Sequence, residues 1–349
     1  MRAIVVSPGV AHSVRLADVP EPAPEEGSVL VDTLALGVCG TDREIIAGLY
    51  GEAPAGAPHL VLGHESLGRV RDAPEGSGLA PGDLVVGIVR RPDPEPCPAC
   101  AAGEWDMCRN GRYTERGIKA RHGFGAERFR IEPEFAIRVA PDLGLAAVLM
   151  EPTSIVAKAW DHIGRVAARA RSAAPQRVLV TGAGPIGLLA AMISVQRGHD
   201  THVFDRSPEG PKPKLTAGIG ATYHVGDARE VIERLRPDVI VECTGAVPVI
   251  AAALGQTAPA GMVCLLGVGA SATPRAIDLG GLNRTLVLDN QVIFGAVNAN
   301  HMHYEMAAEA LAAADRGWLE QLINRRVPLD RMEEAFDNRP DDIKVVVTF

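Results

Sequence analysis

Four side chains in the first half of the chain are of the kinds that bind Zn²⁺ in proteins. They are the thiol of Cys39, the imidazole of His64 and the carboxylates of Glu65 and Glu151. A catalytic zinc site uses such ligands and keeps one position open for water or substrate. Taken singly, each residue also fits an ordinary role, such as a buried thiol or a loop histidine. Their combination, upstream of a nucleotide-binding pattern, predicts a catalytic zinc site.

A second group of candidate ligands consists of Cys97, Cys100 and Cys108, which lie within twelve consecutive positions. In a reducing compartment such crowding indicates a metal site rather than disulfides. A structural zinc site is closed by four protein ligands, and carboxylate is one accepted type. Asp93 or Glu95 is therefore a candidate fourth ligand, and the alternative is a lobe without metal.

Gly182, Gly184 and Gly187 form a Gly-x-Gly-x-x-Gly turn between a strand-like run and an apolar, helix-like stretch. In this context the motif binds a dinucleotide, because the glycines allow a tight turn, close approach to the pyrophosphate and helix–strand packing. Asp205, eighteen residues beyond Gly187, is placed to accept hydrogen bonds from the adenosine ribose, which favours NAD over NADP. Arg206 is able to hold the 2′-phosphate of NADP instead, and an ordinary turn residue is the alternative for Asp205. The predicted cofactor contacts are Gly182, Gly184, Pro185, Ile186, Gly187, Asp205, Arg206, Thr244, Gly267, Val268 and Asn298.

Two patterns of secondary structure must position these residues. Up to about residue 150, short apolar runs alternate with turns rich in Gly and Pro, which is typical of a β-rich domain. From about residue 155, strands alternate with helices, which predicts βαβ units and a parallel sheet. The predicted strands are 3–6, 28–36, 84–89, 177–181, 201–204, 238–242, 261–266, 290–294 and 343–349, and the predicted helices are 186–198 and 301–316.

The composition excludes several classes of protein. The 349 residues suffice for two domains, and 47% of them are apolar, as in globular proteins. A net charge of −8 without a Lys/Arg tract argues against nucleic acid as a partner. No run approaches the roughly 18 uninterrupted apolar residues of a membrane span, and the first residues lack a signal-peptide pattern. We therefore expect a cytoplasmic protein without a membrane partner.

Three motifs together resemble those of the zinc-containing medium-chain dehydrogenase/reductase family. They are Gly-x-Cys-Gly-Thr-Asp at 37–42, Gly-His-Glu at 63–65 and Glu-Pro at 151–152, followed by the glycine turn. The resemblance covers essentially the whole chain and implies that Cys39 and His64 bind the catalytic zinc. It implies that Glu65 and Glu151 complete the coordination sphere or exchange there, and that Thr41 is a proton-relay hydroxyl.

The same resemblance implies an α/β fold in two domains. A β-rich GroES-like catalytic domain spans residues 1–155 and is rejoined by about 296–349. A Rossmann domain with a doubly wound parallel sheet spans residues 156–295. The family's structural zinc lobe has four cysteines, and this chain has Pro94 at the first of those positions. The family also implies a homo-oligomer, either a dimer or a tetramer.

Longer segments are similar to the glucose dehydrogenases of the archaeal type and their bacterial relatives. They lie at 39–44, 89–92, 103–108, 113–119, 122–124 and 295–300. In that group the residues matching Thr41, Glu115 and Asn298 contact the sugar, and the Asn298 segment borders the nicotinamide. Leu288 stands where the group has a histidine that contacts sugar, so the prediction is a sugar or polyol with glucose as the leading candidate.

These features predict zinc-dependent transfer of a hydride from a hydroxyl carbon to NAD or NADP, with an aldose giving a lactone. Zinc lowers the pKa of a bound hydroxyl, and Thr41 then passes the proton outward. One alternative is another secondary alcohol, such as an inositol, a deoxysugar or a natural-product intermediate. A second alternative is a zinc-free nucleotide-binding regulatory protein.

Overall fold

The computed structural model describes residues 1–170, 176–269 and 276–349, and the chain divides into two compact units. The first unit comprises residues 1–154, 298–312 and 319–349, and the second comprises residues 155–297 and 313–318.

The elements up to residue 167 are mostly short strands. They are β1 (Arg2–Val6), β2 (Arg15–Asp18), β3 (Val29–Val38), α1 (Gly40–Ile46), β4 (Leu60–Val61), β5 (Glu65–Asp72), β6 (Leu84–Gly87), β7 (Arg90–Arg91), α2 (Pro98–Ala101), β8 (Thr114–Arg116), β9 (Ala120–Arg121), β10 (Arg128–Ile131), β11 (Ala136–Arg138) and α3 (Met150–Ala167). Single turns of 3₁₀ helix at Pro24–Glu26, Trp105–Met107 and Pro133–Phe135 and a longer 3₁₀ stretch at Pro141–Leu149 connect some of them.

The following elements alternate between strand and helix. They are β12 (Arg177–Thr181), α4 (Pro185–Gln196), β13 (Asp200–Phe204), α5 (Pro211–Gly218), β14 (Thr222–His224), α6 (Ala228–Leu235), β15 (Val239–Glu242), α7 (Val247–Ala253), β16 (Met262–Leu265), α8 (Leu279–Leu288) and β17 (Val292–Gly295). The chain ends with α9 (His301–Ala312), α10 (Arg316–Leu322), β18 (Arg325–Pro328), a 3₁₀ stretch at Leu329–Phe336 and β19 (Val345–Thr348).

The first unit is built around a sheet with the strand order β11-β6-β5-β3-β19-β18, in which β10 also pairs with β3. Two three-stranded sheets, β2-β1-β4 and β7-β8-β9, complete it. β3 pairs with β5 on one side and with β19 on the other, so the last strand of the chain lies beside an early one. This arrangement places the residues that follow β3 and those that begin β5 at the same end of the sheet.

The second unit contains a six-stranded parallel sheet with the order β14-β13-β12-β15-β16-β17. Its four central strands are mostly apolar and buried; in β12, for example, only the first residue is exposed. This is the doubly wound sheet that the sequence predicts, and the strand order reverses between β12 and β15. Dinucleotides bind at the carboxyl ends of the strands next to such a reversal.

One predicted helix is wrong in its extent. The sequence predicts a single helix over 301–316, but α9 ends at Ala312 and α10 begins at Arg316. The carboxylate of Asp315 accepts a hydrogen bond of 2.8 Å from the backbone N–H of Trp318. Such a bond satisfies a free N–H at a helix start, so Asp315 begins a new helix rather than extending the old one.

One helical stretch, Pro141–Ala167, is long and apolar enough by composition to cross a membrane. However, 83% of its apolar window is buried inside the protein, as in the core helix of a globular fold.

Candidate functional site

Three of the predicted zinc ligands lie at the end of the large sheet in the first unit. Cys39 directly follows β3 and caps α1, His64 precedes β5, and Glu65 is the first residue of β5. The ligand atoms of these three residues lie within 4.8 Å of one another, and Cys39 Sγ is 3.1 Å from His64 Nε2. Gly37 pairs with Glu65 across the strands, and a Cβ at Gly37 would lie 2.1 Å from Glu65 Oε2. A glycine is therefore required opposite this carboxylate.

Asp42 orients two of these residues. Its Oδ2 accepts a hydrogen bond of 2.9 Å from the backbone N–H of Cys39, and its Oδ1 lies 3.5 Å from His64 Nδ1. A carboxylate behind the second ring nitrogen holds a metal-binding histidine in one orientation and tautomer. Burial raises the pKa of Asp42, but the nearby charge of His64 and the hydrogen bond from the backbone N–H of Cys39 outweigh this effect and lower the pKa. The sequence indicates Asp42 only as a position of the Gly-x-Cys-Gly-Thr-Asp motif, and its role follows from the structure.

Lys344 is a second residue that the sequence analysis missed. Its ammonium group is buried, forms an ion pair with Glu65 and donates a hydrogen bond of 3.1 Å to the carbonyl of Val38. Lys344 directly precedes β19, and the pairing of β19 with β3 brings it to the zinc-ligand cluster. Since the two residues are far apart in the chain, no local pattern indicates this pair.

Glu151 is the fourth predicted zinc ligand. The mutually close ligand atoms at this end of the sheet are those of Cys39, His64 and Glu65, and Glu151 does not belong to this group. It is buried at the second position of α3. Burial raises the pKa of Glu151 to about 7; His64 opposes this shift and Glu65 adds to it. The structure therefore makes Glu151 a buried carboxyl group that interacts electrostatically with His64 and Glu65.

Two of the predicted sugar-contacting residues lie together elsewhere in the first unit. The side-chain N–H of Asn298 donates a hydrogen bond of 2.8 Å to Glu115 Oε1. Both residues are buried, and Asn298 has a φ of 63°, a left-handed conformation that asparagine tolerates better than most residues. Thr41, the third predicted residue, lies in the first turn of α1, where its backbone N–H donates to Cys39 Sγ at 3.2 Å.

The glycine turn has the geometry that dinucleotide binding requires. Gly182 has a φ of 92°, and Gly184 caps α4, which Pro185, Ile186 and Gly187 begin. A Cβ at Gly187 would lie 1.7 Å from the carbonyl oxygen of Gly182, so only glycine fits there. The free N–H groups at the start of α4 are suited to bind phosphate oxygens.

The loops after β15 and β16 belong to the same end of the parallel sheet. The carboxylate of Glu242 is fully buried and accepts hydrogen bonds from the backbone N–H groups of Thr244 and Gly245 at 2.8 and 3.2 Å. A Cβ at Gly267 would lie 2.1 Å from the nitrogen of Gly245, and Val268 is 79% exposed. Glu242, which the sequence analysis missed, thus holds the loop that carries the predicted contact Thr244.

The carboxylate of Asp205 accepts several hydrogen bonds that the sequence does not indicate. Its two oxygens accept hydrogen bonds from the backbone N–H groups of Ala183 and Ser207 at 2.8 and 3.0 Å, and from Lys212 Nζ at 3.1 and 3.0 Å. Burial raises the pKa of Asp205, but these partners outweigh it and lower the pKa. Lys212 offsets part of the negative charge that disfavours a 2′-phosphate, and Arg206 is exposed beside it.

Residues 93–112 form the cysteine lobe, which contains a cluster of three thiols. The sulfur atoms of Cys97, Cys100 and Cys108 lie within 4.8 Å of one another, and among the described residues no carboxylate joins this cluster. Asp93 is buried and accepts hydrogen bonds from Glu95 N at 2.9 Å, Asn110 Nδ2 at 2.8 Å and Arg112 Nε at 3.2 Å. Glu95 pairs with Arg112 at the surface. The donor set is one short of the four protein ligands of a closed structural zinc site.

Comparison with known proteins supplies independent findings. Two family models match the chain: the alcohol dehydrogenase GroES-like domain over residues 25–141 and the glucose dehydrogenase C-terminus over residues 144–349. The glucose 1-dehydrogenase of Methanocella arvoryzae is 40% identical over 356 residues, and that of Thermoproteus tenax is 41% identical over 355 residues; each match covers 99% of both chains. The solved structure of Haloferax mediterranei glucose dehydrogenase in complex with NADP, Zn and gluconolactone matches 100% of this chain and 99% of that one, with 34% identity and a TM-score of 0.92.

Proposed function

The chain belongs to the glucose dehydrogenase branch of the zinc-containing medium-chain dehydrogenase/reductase family, and we propose that it oxidises C1 of an aldose to a lactone while reducing NAD or NADP. The observation that carries this proposal is the cluster of Cys39, His64 and Glu65, whose donors suit a catalytic zinc. Glucose is the leading substrate, because the curated relatives are named for it and gluconolactone is bound in the solved one.

Several residues of the first unit have separate proposed roles in this reaction. Cys39, His64 and Glu65 would hold zinc, which when bound supplies Lewis-acid stabilisation of the charge that develops on the substrate oxygen. Asp42 keeps the His64 ring in place, and the Thr41 hydroxyl carries the released proton away. The hydride acceptor is the cofactor, whose phosphates the glycine turn binds.

Glu115 and Asn298 are proposed to bind sugar hydroxyls. A carboxylate and an amide suit a polyhydroxylated ligand, since each hydroxyl must find a partner when it leaves water. Leu288 lies at the end of α8 and is 62% exposed, so an apolar side chain replaces the histidine that the resemblance leads one to expect. We propose a sugar or polyol as the ligand of Glu115 and Asn298.

The zinc assignment is tested with Cys39→Ala and His64→Ala. We expect both variants to lose turnover and one equivalent of zinc while keeping their affinity for the cofactor, because the glycine turn is a separate site. Cys108→Ala, which also removes a half-buried thiol of the first unit, is the matched control and should keep turnover. Normal turnover in Cys39→Ala would disprove the assignment.

The substrate is tested by screening aldoses, polyols and inositols for reduced-cofactor absorbance. The proposal requires an aldose, with glucose foremost, to have the highest kcat/KM and to yield a lactone. A higher value for an inositol or a simple secondary alcohol would favour the alternative substrate class. Cofactor binding without any turnover or zinc would favour a regulatory protein.

We also propose that the enzyme is a cytoplasmic homo-oligomer. All six cysteines are free, which suits a reducing compartment. Among the described residues, β17 at the sheet edge pairs only with β16, and the adjacent α8 has no buried residue. Leu279, Val287 and Leu288 are 72%, 66% and 62% exposed there. An unpaired strand edge beside exposed apolar side chains favours a second copy of this chain as the occupant.

A further inference from the structure

Arg90 is a buried arginine that contacts the proposed sugar-binding carboxylate. β7 and β8 are antiparallel, and their register places Arg90 directly opposite Glu115. The Nε and Nη2 atoms of Arg90 donate hydrogen bonds of 3.1 and 3.0 Å to the same oxygen, Glu115 Oε1. The side chains of both residues are less than a tenth exposed, so water screens this ion pair little.

All of the side-chain donors around Glu115 meet on one oxygen. Asn298 Nδ2 donates to Oε1 at 2.8 Å, in addition to the two donors of Arg90. The described residues provide no hydrogen bond to the second oxygen, Oε2. A carboxylate oxygen left in this way is an acceptor available for a ligand hydroxyl.

The Arg90 guanidinium also makes a hydrogen bond to a backbone carbonyl and a contact with an aromatic ring. Its Nη1 donates to the carbonyl of Asp106 at 3.1 Å, and its Cζ lies 3.7 Å from the ring centre of Tyr113. Asp106 in turn accepts a hydrogen bond of 2.9 Å from Asn300 Nδ2. Arg90 therefore links β8, the Trp105–Met107 turn and the segment that carries Asn298.

From these contacts we propose that Arg90 is a positioning residue for substrate specificity. It fixes the rotamer of Glu115 and saturates Oε1, so that Oε2 is the oxygen offered to a sugar hydroxyl. Arg90 acts through Glu115 and does not itself contact substrate. This inference rests on the proposed function, because it requires Glu115 to bind the sugar.

The chain offers a closely matched control in the next residue. Arg91 is equally buried, donates twice to one oxygen of Glu132 at 3.0 and 2.8 Å, and donates to a backbone carbonyl at 2.7 Å. Its Cζ lies 3.9 Å from the ring centre of Phe135. If substrate binding were weakened only because a buried, ring-stacked arginine is removed, substitution of Arg90 and substitution of Arg91 would weaken it alike.

The experiment measures kcat, KM for glucose, cofactor affinity and Tm for Arg90→Met, Arg90→Lys and Arg91→Met. We expect Arg90→Met to raise KM about 10- to 100-fold, the effect of losing a charged hydrogen bond to substrate, with kcat changed less. The KM of Arg90→Lys should lie between that of Arg90→Met and that of the wild type, because lysine restores the charge but not both donors. Arg91→Met should lower Tm but leave KM unchanged.

A double-mutant cycle with Glu115→Gln tests whether Arg90 acts through Glu115. In the Glu115→Gln background we expect Arg90→Met to add little to the rise in KM, and fully additive effects would overturn the inference. An unchanged KM in Arg90→Met, with a raised KM in Glu115→Gln, overturns the role of Arg90 alone. An unchanged KM in Glu115→Gln overturns both the role of Arg90 and the proposed sugar site.

Discussion

At the scale of single residues, Lys344 shows how the zinc-ligand cluster depends on a distant side chain. Its charge is buried beside Glu65, and a buried ion pair costs desolvation that only the partner and further hydrogen bonds offset. The hydrogen bond to Val38 fixes the ammonium group at the end of β3. Lys344 therefore sets the orientation of Glu65 and also joins β19 to the cluster.

We predict that Lys344→Met destabilises the zinc-free protein by about 3 kcal/mol, because it leaves the Glu65 carboxylate buried without its partner. Differential scanning calorimetry measures this as a lower Tm, and activity should fall as well. Lys214→Met is the control, since Lys214 is exposed and should have little effect. A Lys344→Met protein as stable as wild type would contradict the assigned role of the ion pair.

Asp205 determines a second prediction at this scale. We expect higher kcat/KM with NAD than with NADP, because the buried carboxylate disfavours a 2′-phosphate. Lys212 lies at 3.0 Å from that carboxylate, so the preference should be about tenfold or less, which corresponds to about 1.4 kcal/mol. Steady-state kinetics with both cofactors measure the ratio, and Asp205→Ala should shift it toward NADP. A wild-type ratio that favours NADP would refute the prediction.

At the scale of elements, hydrogen bonds connect the two ends of the cysteine lobe. Asp93 joins the start of the lobe to Asn110 and Arg112 at its end, which is the task that a fourth ligand and a metal would perform. We predict about one zinc per chain by elemental analysis, because the described residues of the cysteine lobe provide three of the four protein ligands that a closed structural zinc site requires. Two equivalents, with one lost in Cys97→Ala, would contradict this. Asp93→Asn should lower Tm, because it weakens the charged bond to Arg112.

A charge cluster between neighbouring elements predicts acid sensitivity. Glu132 accepts hydrogen bonds from Arg91 of β7 and Arg121 of β9. Burial raises the pKa of Glu132, but the bond and charge of Arg91 outweigh it and lower the pKa to about 2. Since the folded pKa lies below the ordinary value of 4.5, this stabilisation is complete above about pH 4.5 and is lost as the pH falls toward 2.

We therefore expect Glu132→Gln to lower the free energy of unfolding by about 2 kcal/mol at pH 7 and by roughly half as much at pH 3. Thermal unfolding measured across this range gives the difference from wild type. The control is Glu134→Gln, which changes an exposed carboxyl group two residues away. A difference that is the same at pH 3 and pH 7 would show that the ion pairs do not stabilise the fold.

At the scale of the whole molecule, the edge strand β17 and helix α8 lead to a prediction about assembly. We expect light scattering to give a dimer or larger oligomer, and Val287→Glu to reduce it toward a monomer, because a charge there would be desolvated at the interface. Val10→Glu is the control, since Val10 is also an exposed valine, at 55%, but lies in the first unit. A wild-type monomer at micromolar concentration would exclude the proposed assembly.

The sequence by itself was sufficient to predict the fold class and the glycine turn, and it indicated Cys39, His64 and Glu65, whose ligand atoms the structure brings together. These features are local, since a turn needs its glycines in consecutive positions and the ligand chemistry belongs to the residue types. Only the tertiary structure decided which groups surround them: Lys344 beside Glu65, Arg90 beside Glu115, and Lys212 beside Asp205. It also placed Glu151 outside the mutually close ligands. Strand pairing and side-chain geometry create such contacts between residues that are distant in the chain or outside any motif, so spacing along the sequence carries no signal for them.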